Sequence, residues 1–156
     1  MKNELIVVAT KEEYDLACKR FIGHRIKQTG VGGTNVIEAL KNENKDQAII
    51  NFGYAGSNDI PIGTIVKVSE SKLYHPGVKY KEKTYKLKGD TLCFTSNDFV
   101  IKTNIKKACV FDMELAYIMA LGFKHVESIK IVSDNLSLKE YEENIHDRKS
   151  KSKPSR

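Results

Sequence analysis

The sequence contains few cysteines, three among 156 residues, and they lie far apart at Cys18, Cys93 and Cys109. No CxxC pair occurs, so the spacing indicates neither a zinc site nor a disulfide framework. Reduced, unpaired thiols are typical of cytoplasmic proteins. We therefore expect a cytoplasmic protein that holds no metal.

Long hydrophobic runs and internal repeats are also missing. No apolar run approaches the roughly 20 residues that a transmembrane helix needs, so no association with a membrane is expected. The N-terminal MKNELIVVAT contains one short apolar run, and no convincing cleavage site follows it. We interpret this run as a first β-strand and not as a signal peptide.

Excess positive charge is concentrated at the end of the chain. The formal net charge is +6, but five of the 26 Lys/Arg lie in RKSKSKPSR, residues 148–156, which contains no acid. The other residues carry 21 basic and 20 acidic side chains. We predict a single domain over residues 1–147 and a disordered basic tail over 148–156. Nucleic acid is not expected as a partner; the alternative is RNA binding by this tail and a Lys-rich hairpin predicted at 77–95.

Short apolar runs alternate with amphipathic segments along the chain. Residues 4–9, DQAIINF and HVESIKIVSDN predict buried strands, whereas residues 11–22, 34–41 and 110–122 predict helices. Gly53 to Gly56 predict a tight turn after the second of these strands. Strands that alternate with helices predict an α/β fold with a largely parallel sheet.

A glycine-rich turn, TGVGG, precedes the predicted helix at 34–41. Such a turn lets backbone N–H groups approach an anion at a helix N-terminus. Its glycine spacing is not that of a dinucleotide-binding fingerprint, and no Gly-Lys pair makes it a P-loop. No cofactor is expected.

Four groups of polar side chains fall at strand ends in this pattern. In open α/β sheets, ligands bind outside the carboxyl ends of the strands, so this coincidence indicates a binding site more strongly than any single residue does. The signals are Glu12 with Glu13, the turn around Tyr54, Asp112 with Glu114, and Ser133 with Asp134.

Helix capping is the structural alternative for three of these acids. Thr10 and Glu13 have the spacing of a capping box, in which the threonine begins the helix. Asp112 fits the N-cap of the helix predicted at 110–122. Glu114 would then lie in the first turn, where the helix dipole favours a negative charge.

Several segments, in this order, resemble the purine nucleoside phosphorylase/nucleosidase superfamily: VVATKEE, TGVGG, NFGYAGS with IPIGTIV, FDMELA and IVSD. The most specific part is Asp-Met-Glu followed by a strand that ends in Ser-Asp. The most similar branch contains the 5′-methylthioadenosine/S-adenosylhomocysteine nucleosidases and futalosine hydrolase. The resemblance implies a three-layer fold with a mixed, largely parallel sheet flanked by helices. It also implies a purine nucleoside as ligand and a homo-oligomer, dimeric or larger.

The resemblance assigns three catalytic carboxylates. Asp134 would be the general acid at N7 of the purine, and Glu114 would bind ribose hydroxyls and help to hold the attacking water. Glu13 would be the base that activates this water, with Glu12 as the alternative if the register shifts by one residue. The substrate-binding residues would be Met113 against the sugar, Phe99 stacked on the base, Val100 at the base edge, and Tyr54, Gly32 and Ser133 around the pocket.

These residue types suit cleavage of an N-glycosidic bond, which passes through an oxocarbenium-like transition state. The purine leaves as a neutral base, so Asp134 must be protonated near neutral pH. Its pKa must then rise by roughly 2–3 units above the ordinary ~3.9, which burial can supply.

Two substitutions relative to the superfamily favour hydrolysis over phosphorolysis. Asn51 stands where phosphorylases carry a phosphate-binding arginine, and Tyr54 stands where relatives often have serine. Phosphate-dependent cleavage and nucleoside binding without turnover are the alternatives.

Overall fold

The computed structural model describes residues 3–74 and 83–151, which form a mixed eight-stranded sheet with helices packed against it. This confirms the predicted mixed α/β fold. The elements are β1 (Leu5–Val8), α1 (Lys11–Arg20), β2 (Arg25–Gln28), α2 (Gly33–Leu40), β3 (Ile49–Ser57), β4 (Ile65–Leu73), β5 (Tyr85–Lys86), β6 (Thr91–Thr95), β7 (Cys109–Asp112), α3 (Leu115–Ala120), β8 (Val126–Asp134) and α4 (Leu138–Lys151).

The sheet closes on itself through its last strand. The strand order is β2-β1-β3-β7-β6-β4-β5, and β8 pairs with both β3 and β4, so β3, β7, β6, β4 and β8 form a ring. The pairs β3–β7, β4–β5 and β4–β8 are antiparallel, and the other pairs are parallel. The mixed sheet is thus observed. The finer expectation, a largely parallel sheet in a three-layer arrangement, stays a prediction.

Alternate residues of β1 face two different sets of helices. Ile6 and Val8 belong to an apolar cluster with Ala17 of α1 and Ile145 of α4. Leu5 and Val7 belong to a second cluster with residues of α2 and α3, namely Val36, Leu40 and Ile118. Because successive side chains of a strand point to opposite faces, one short apolar strand anchors helices on both sides.

Helix α1 begins with the predicted capping box. Thr10 Oγ1 accepts a hydrogen bond from Glu13 N at 3.2 Å, and Glu13 Oε1 accepts one from Thr10 N at 3.2 Å. The structural role predicted for Glu13 is thus present in the fold.

Three features differ from the prediction. Strand β2 was not predicted, because its sequence RIKQ is mostly polar and the strand pairs only with β1 among the described residues. Strand β3 continues through Gly53 and Gly56 because β8 supplies backbone partners there. The segment predicted as one helix at 110–122 is divided between β7, whose four residues are all buried, and the short helix α3.

The structure describes only part of each of the two Lys-rich segments, the predicted hairpin and the predicted tail. Residues 77–82 of the predicted hairpin and residues 152–156 of the predicted tail lie outside the described residues, while α4 continues to Lys151. No helix in the described part of the chain is long and apolar enough to cross a membrane.

Candidate active site

A cavity of about 80 Å³ lies where β1, β3, β7 and β8 end. Most of the predicted site residues line it, whereas Glu12 does not. Val100 lines a smaller adjoining cavity, which also contacts Phe99, Met113 and Asp134. The main cavity is lined by Ala9, Thr10, Glu13, Val31, Tyr54, Ala55, Gly56, Phe99, Phe111, Asp112, Met113, Glu114, Ser133, Asp134 and Tyr141.

The carboxylate of Glu13 is held by one backbone N–H group directly after β1 and one within β3. Its Oε1 accepts from Ala9 N at 2.8 Å, and its Oε2 accepts from Tyr54 N at 2.8 Å. Gly53 makes this placement sterically feasible, because a Cβ there would lie 2.5 Å from Oε2. Burial raises the pKa of Glu13, while the Tyr54 hydrogen bond and the charge of Lys130 oppose the rise. Glu13 therefore serves both in the capping box of α1 and as a buried carboxylate of the cavity.

Glu114 joins the glycine-rich turn to the N-terminus of α3. Its Oε2 accepts a hydrogen bond from Gly32 N at 2.9 Å. Gly32, which lies 82 residues earlier in the chain, therefore holds this carboxylate in position. Burial and the negative charge of Asp112 raise the pKa of Glu114 to about 8, against the opposing charge of Lys130. Near neutral pH this group can therefore carry a proton or release one.

Asp112 forms a buried ion pair with Lys130 that was not predicted. The distance from Lys130 Nζ to Asp112 Oδ2 is 3.0 Å, and the two side chains are 1% and 0% exposed. Asp112 also accepts from Thr95 Oγ1 at 2.5 Å and from Leu115 N at 2.9 Å. Burial favours the neutral acid, yet Lys130 and these donors hold the pKa of Asp112 below its usual value.

The capping prediction for Asp112 is thus only partly right. Its carboxylate does bond the first N–H of α3, but Glu114 occupies the N-cap position, and Asp112 remains within β7.

Asp134 ends β8 and forms the turn that leads to α4. Its Oδ1 accepts from Ser133 Oγ at 2.8 Å, and its Oδ2 accepts from Leu136 N at 2.9 Å. Burial raises the pKa of Asp134, although these donors favour the ionised form. A Cβ at Gly56 would lie 2.9 Å from Oδ2, so a second glycine of β3 gives space to a second carboxylate.

Aromatic rings form much of the apolar wall. Phe99 packs edge-on against Tyr141 of α4 with 5.3 Å between ring centroids, and Phe111 stacks on Phe94. Burial and the nearby carboxylates raise the pKa of Tyr141 to about 12. Sequence reasoning missed Tyr141, Phe111 and Lys130; the only signal for Lys130 was its position between two isoleucines of a predicted strand.

Asn51 does not line the cavity. It is buried in β3, where its Oδ1 accepts from Ser128 Oγ at 2.8 Å. Within residues 3–74 and 83–151, no group of three His, Cys, Asp or Glu side chains has the geometry to hold a metal ion.

Comparison with known proteins identifies solved structures that share this fold. Comparisons with protein-family models and with curated proteins gave no match. Among solved structures, the chain matches an Asp-to-Asn variant of a Chlamydia trachomatis MTAN bound to MTA, with a TM-score of 0.76 and 16% identity over 97% of this chain and 91% of that chain.

Two Helicobacter pylori proteins match equally well. The 5′-methylthioadenosine/S-adenosylhomocysteine nucleosidase, solved with butyl-thio-DADMe-Immucillin-A, has a TM-score of 0.77 at 14% identity, and a futalosine hydrolase mutant has 0.76 at 13%. Each match covers 97% of this chain and 94% of the other. The chain therefore has the fold of these nucleosidases, as the resemblance of its motifs implied.

Proposed function

We propose that this protein is a nucleoside N-ribohydrolase that cleaves the N-glycosidic bond of an adenine nucleoside such as 5′-methylthioadenosine or S-adenosylhomocysteine. One observation carries the proposal: Glu13, Glu114 and Asp134, from three separate parts of the chain, line a single cavity. The cavity lies at the carboxyl ends of strands, where α/β proteins commonly bind ligands, and this supports the proposal.

Asp134 is the proposed general acid. Its raised pKa keeps a proton on the carboxyl at higher pH than an ordinary aspartate would, so it can donate that proton to N7 as the C1′–N9 bond breaks. The electron pair of the breaking bond passes to the purine, which leaves as a neutral base. Ser133 would orient the acid through its 2.8 Å hydrogen bond.

Glu13 is the proposed base, and Glu114 the ribose-binding residue. Water loses a proton to Glu13 while its oxygen forms the new bond to C1′. Glu114, held by Gly32, would accept hydrogen bonds from ribose hydroxyls and help to position this water. Tyr54 contributes its backbone N–H to Glu13.

The base and sugar would contact the apolar wall of the cavity. Met113 lies beside Glu114 and would pack against the sugar, and Phe99 would stack on the purine. Val100, in the adjoining cavity, would bind the base edge through its backbone.

Electrostatics favours water over phosphate as the nucleophile. No Lys or Arg lines the cavity among the described residues, and the nearby Lys130 is already paired with Asp112. A phosphate dianion would face Glu13 and Glu114 without a cation of its own, which is unfavourable in a buried site.

Product analysis tests the proposal. The protein is incubated with methylthioadenosine, S-adenosylhomocysteine, adenosine and inosine, with and without phosphate, and free base is measured by chromatography. We expect base release without phosphate and its loss in Asp134→Asn. Release only with phosphate would identify a phosphorylase, and binding without release would identify a nucleoside-binding protein.

A homo-oligomer is part of the proposal. Val31 lines the cavity although 46% of it is exposed, and Ile37 in the next helix is 41% exposed. A second copy covering this apolar surface would also close the site. Light scattering of the purified protein gives the molar mass, and a monomer would contradict this part.

A further inference from the structure

A buried lysine lies beside the proposed catalytic carboxylates but has no part in the reaction as described. Lys130 of β8 is the Cα partner of Gly53 in the parallel pairing of β3 with β8. Paired residues of neighbouring strands project to the same face of a sheet. Gly53 has no side chain, and the Glu13 carboxylate occupies the space above it. The ammonium of Lys130 and the carboxylate of Glu13 therefore share one side of the sheet.

Buried acidic side chains outnumber buried basic ones around Lys130. Glu13, Asp112 and Glu114 are all buried, and Lys130 is the one buried cation among the residues whose burial is described. Tyr141 of α4 lies near Glu13, Glu114 and Asp134, and its raised pKa leaves it uncharged near neutral pH. Lys130 therefore supplies the one buried positive charge near Glu13 among the described residues, and the backbone N–H groups of Ala9, Thr10 and Tyr54 also favour the ionised carboxylate.

We propose that Lys130 is a positioning residue, held in place by Asp112, whose fixed charge keeps Glu13 a carboxylate that can take a proton from water. This inference rests on the proposed function, because it concerns the base of that reaction. The influence of Lys130 extends to both glutamates, since its charge lowers the pKa of Glu13 and of Glu114 against the effect of burial.

The ion pair also has a structural role that a test must separate from this one. Asp112 bonds Leu115 N, and Thr95 Oγ1, which bonds Asp112, accepts from Ala116 N at 3.0 Å. The pair thereby fixes the first turn of α3, next to Glu114. Loss of Lys130 alone would leave Asp112 buried without a counter-ion and would destabilise the fold.

The experiment compares Lys130→Gln with the double variant Asp112→Asn/Lys130→Gln, both in the full-length chain. The double variant replaces the ion pair by neutral amides of similar size, so we expect its melting temperature to return towards that of the wild type. We still expect kcat/KM for methylthioadenosine at pH 7 to be ~10²-fold lower, with the loss in kcat. The acid limb of the pH profile should move to higher pH, because Glu13 now ionises less readily. A double variant with wild-type kcat and pH profile would show that the pair is only structural.

A readout without turnover separates this inference from the proposed function. Carbon-13 NMR of the Glu13 carboxyl, assigned by its loss in Glu13→Gln, gives the titration midpoint directly. We expect the midpoint to rise in the double variant, and an unchanged midpoint would overturn the inference. If the wild type releases no base from any nucleoside, the proposed function fails, and this titration alone decides the role of Lys130.

Discussion

Glu13 reaches the edge of the cavity because Gly53 leaves its side of β3 empty. In Gly53→Ala the new Cβ would lie 2.5 Å from Glu13 Oε2, so the carboxylate must move away from Tyr54 N and Ala9 N. We expect kcat/KM to fall by ~10²-fold or more. Overpacking should also lower the free energy of unfolding by about 1–3 kcal/mol. Nucleoside cleavage assays and urea denaturation measure the two effects.

Gly122→Ala is the matched control. Gly122 lies outside the cavity and has nothing within 4 Å of an added Cβ, but its φ of +88° strains any other residue. This variant should therefore lose about 1–3 kcal/mol of stability and keep its kcat/KM. Equal losses of activity in both variants would contradict a specific role for Gly53.

The sequence predicted individual carboxylates better than it predicted their partners. Glu13 follows a predicted strand, Asp134 ends another, and Glu114 lies in a family motif at the start of a predicted helix; all three line the cavity. Lys130 was missed because a lysine between apolar residues in a strand normally indicates the solvent-facing side. Its burial depends on Asp112, whose position depends on the pairing of β7 with its neighbours, and periodicity along the chain contains no such information.

At the scale of elements, close packing of α2 against α3 holds the two ends of the Gly32–Glu114 hydrogen bond together. Gly33, the first residue of α2, lies against the ring of Tyr117 in α3, and a Cβ would approach that ring to 2.8 Å. Helix propensity alone predicts that Gly33→Ala stabilises α2. We expect the opposite, a loss of about 1–3 kcal/mol, because the helices must separate.

Thermal and urea unfolding of Gly33→Ala measure this loss, with Glu38→Ala on the exposed face of α2 as control. The side chain of Glu38 is 72% exposed and pairs only with Lys41 among the described contacts, so its removal should change stability by less than about 0.5 kcal/mol. A stabilised Gly33→Ala protein would show that α2 and α3 adjust without cost.

Elements were predictable where a local pattern was strong. The capping box begins α1 as predicted, and β8 ends at Ser133-Asp134 as predicted. The short strands β2 and β7 were not found, since β2 is polar and β7 continues into an apolar helix without a break in composition. Tertiary pairing determines both strands, and the glycines within β3 likewise mark close approach of carboxylates and not a turn.

For the whole molecule, the buried carboxylates make stability depend on pH in two separate windows. The pKa of Asp112 is lowered in the fold, so its contribution is present above its unfolded value of 3.8 and is lost as the pH falls through the lower folded value. The pKa of Glu114 is raised from 4.5 to about 8. The folded protein therefore binds more protons than the unfolded chain between these values, and stability declines as the pH rises through this range.

We therefore expect the free energy of unfolding to decrease between pH 5 and pH 8, by at most about 1.4 kcal/mol per pH unit for each such group. Glu13, whose pKa is also raised, adds to the same trend. Glu114→Gln has no titrating proton at this position, so its free energy of unfolding should depend less steeply on pH. Relative to the wild type, the variant should therefore be more stable at pH 8 than at pH 5.5. Urea denaturation of both proteins at pH 5.5 and pH 8 measures the difference. If wild-type stability instead rises over this interval, Glu114 is already ionised in the folded protein, which would contradict the raised pKa that we ascribe to its burial and to the charge of Asp112.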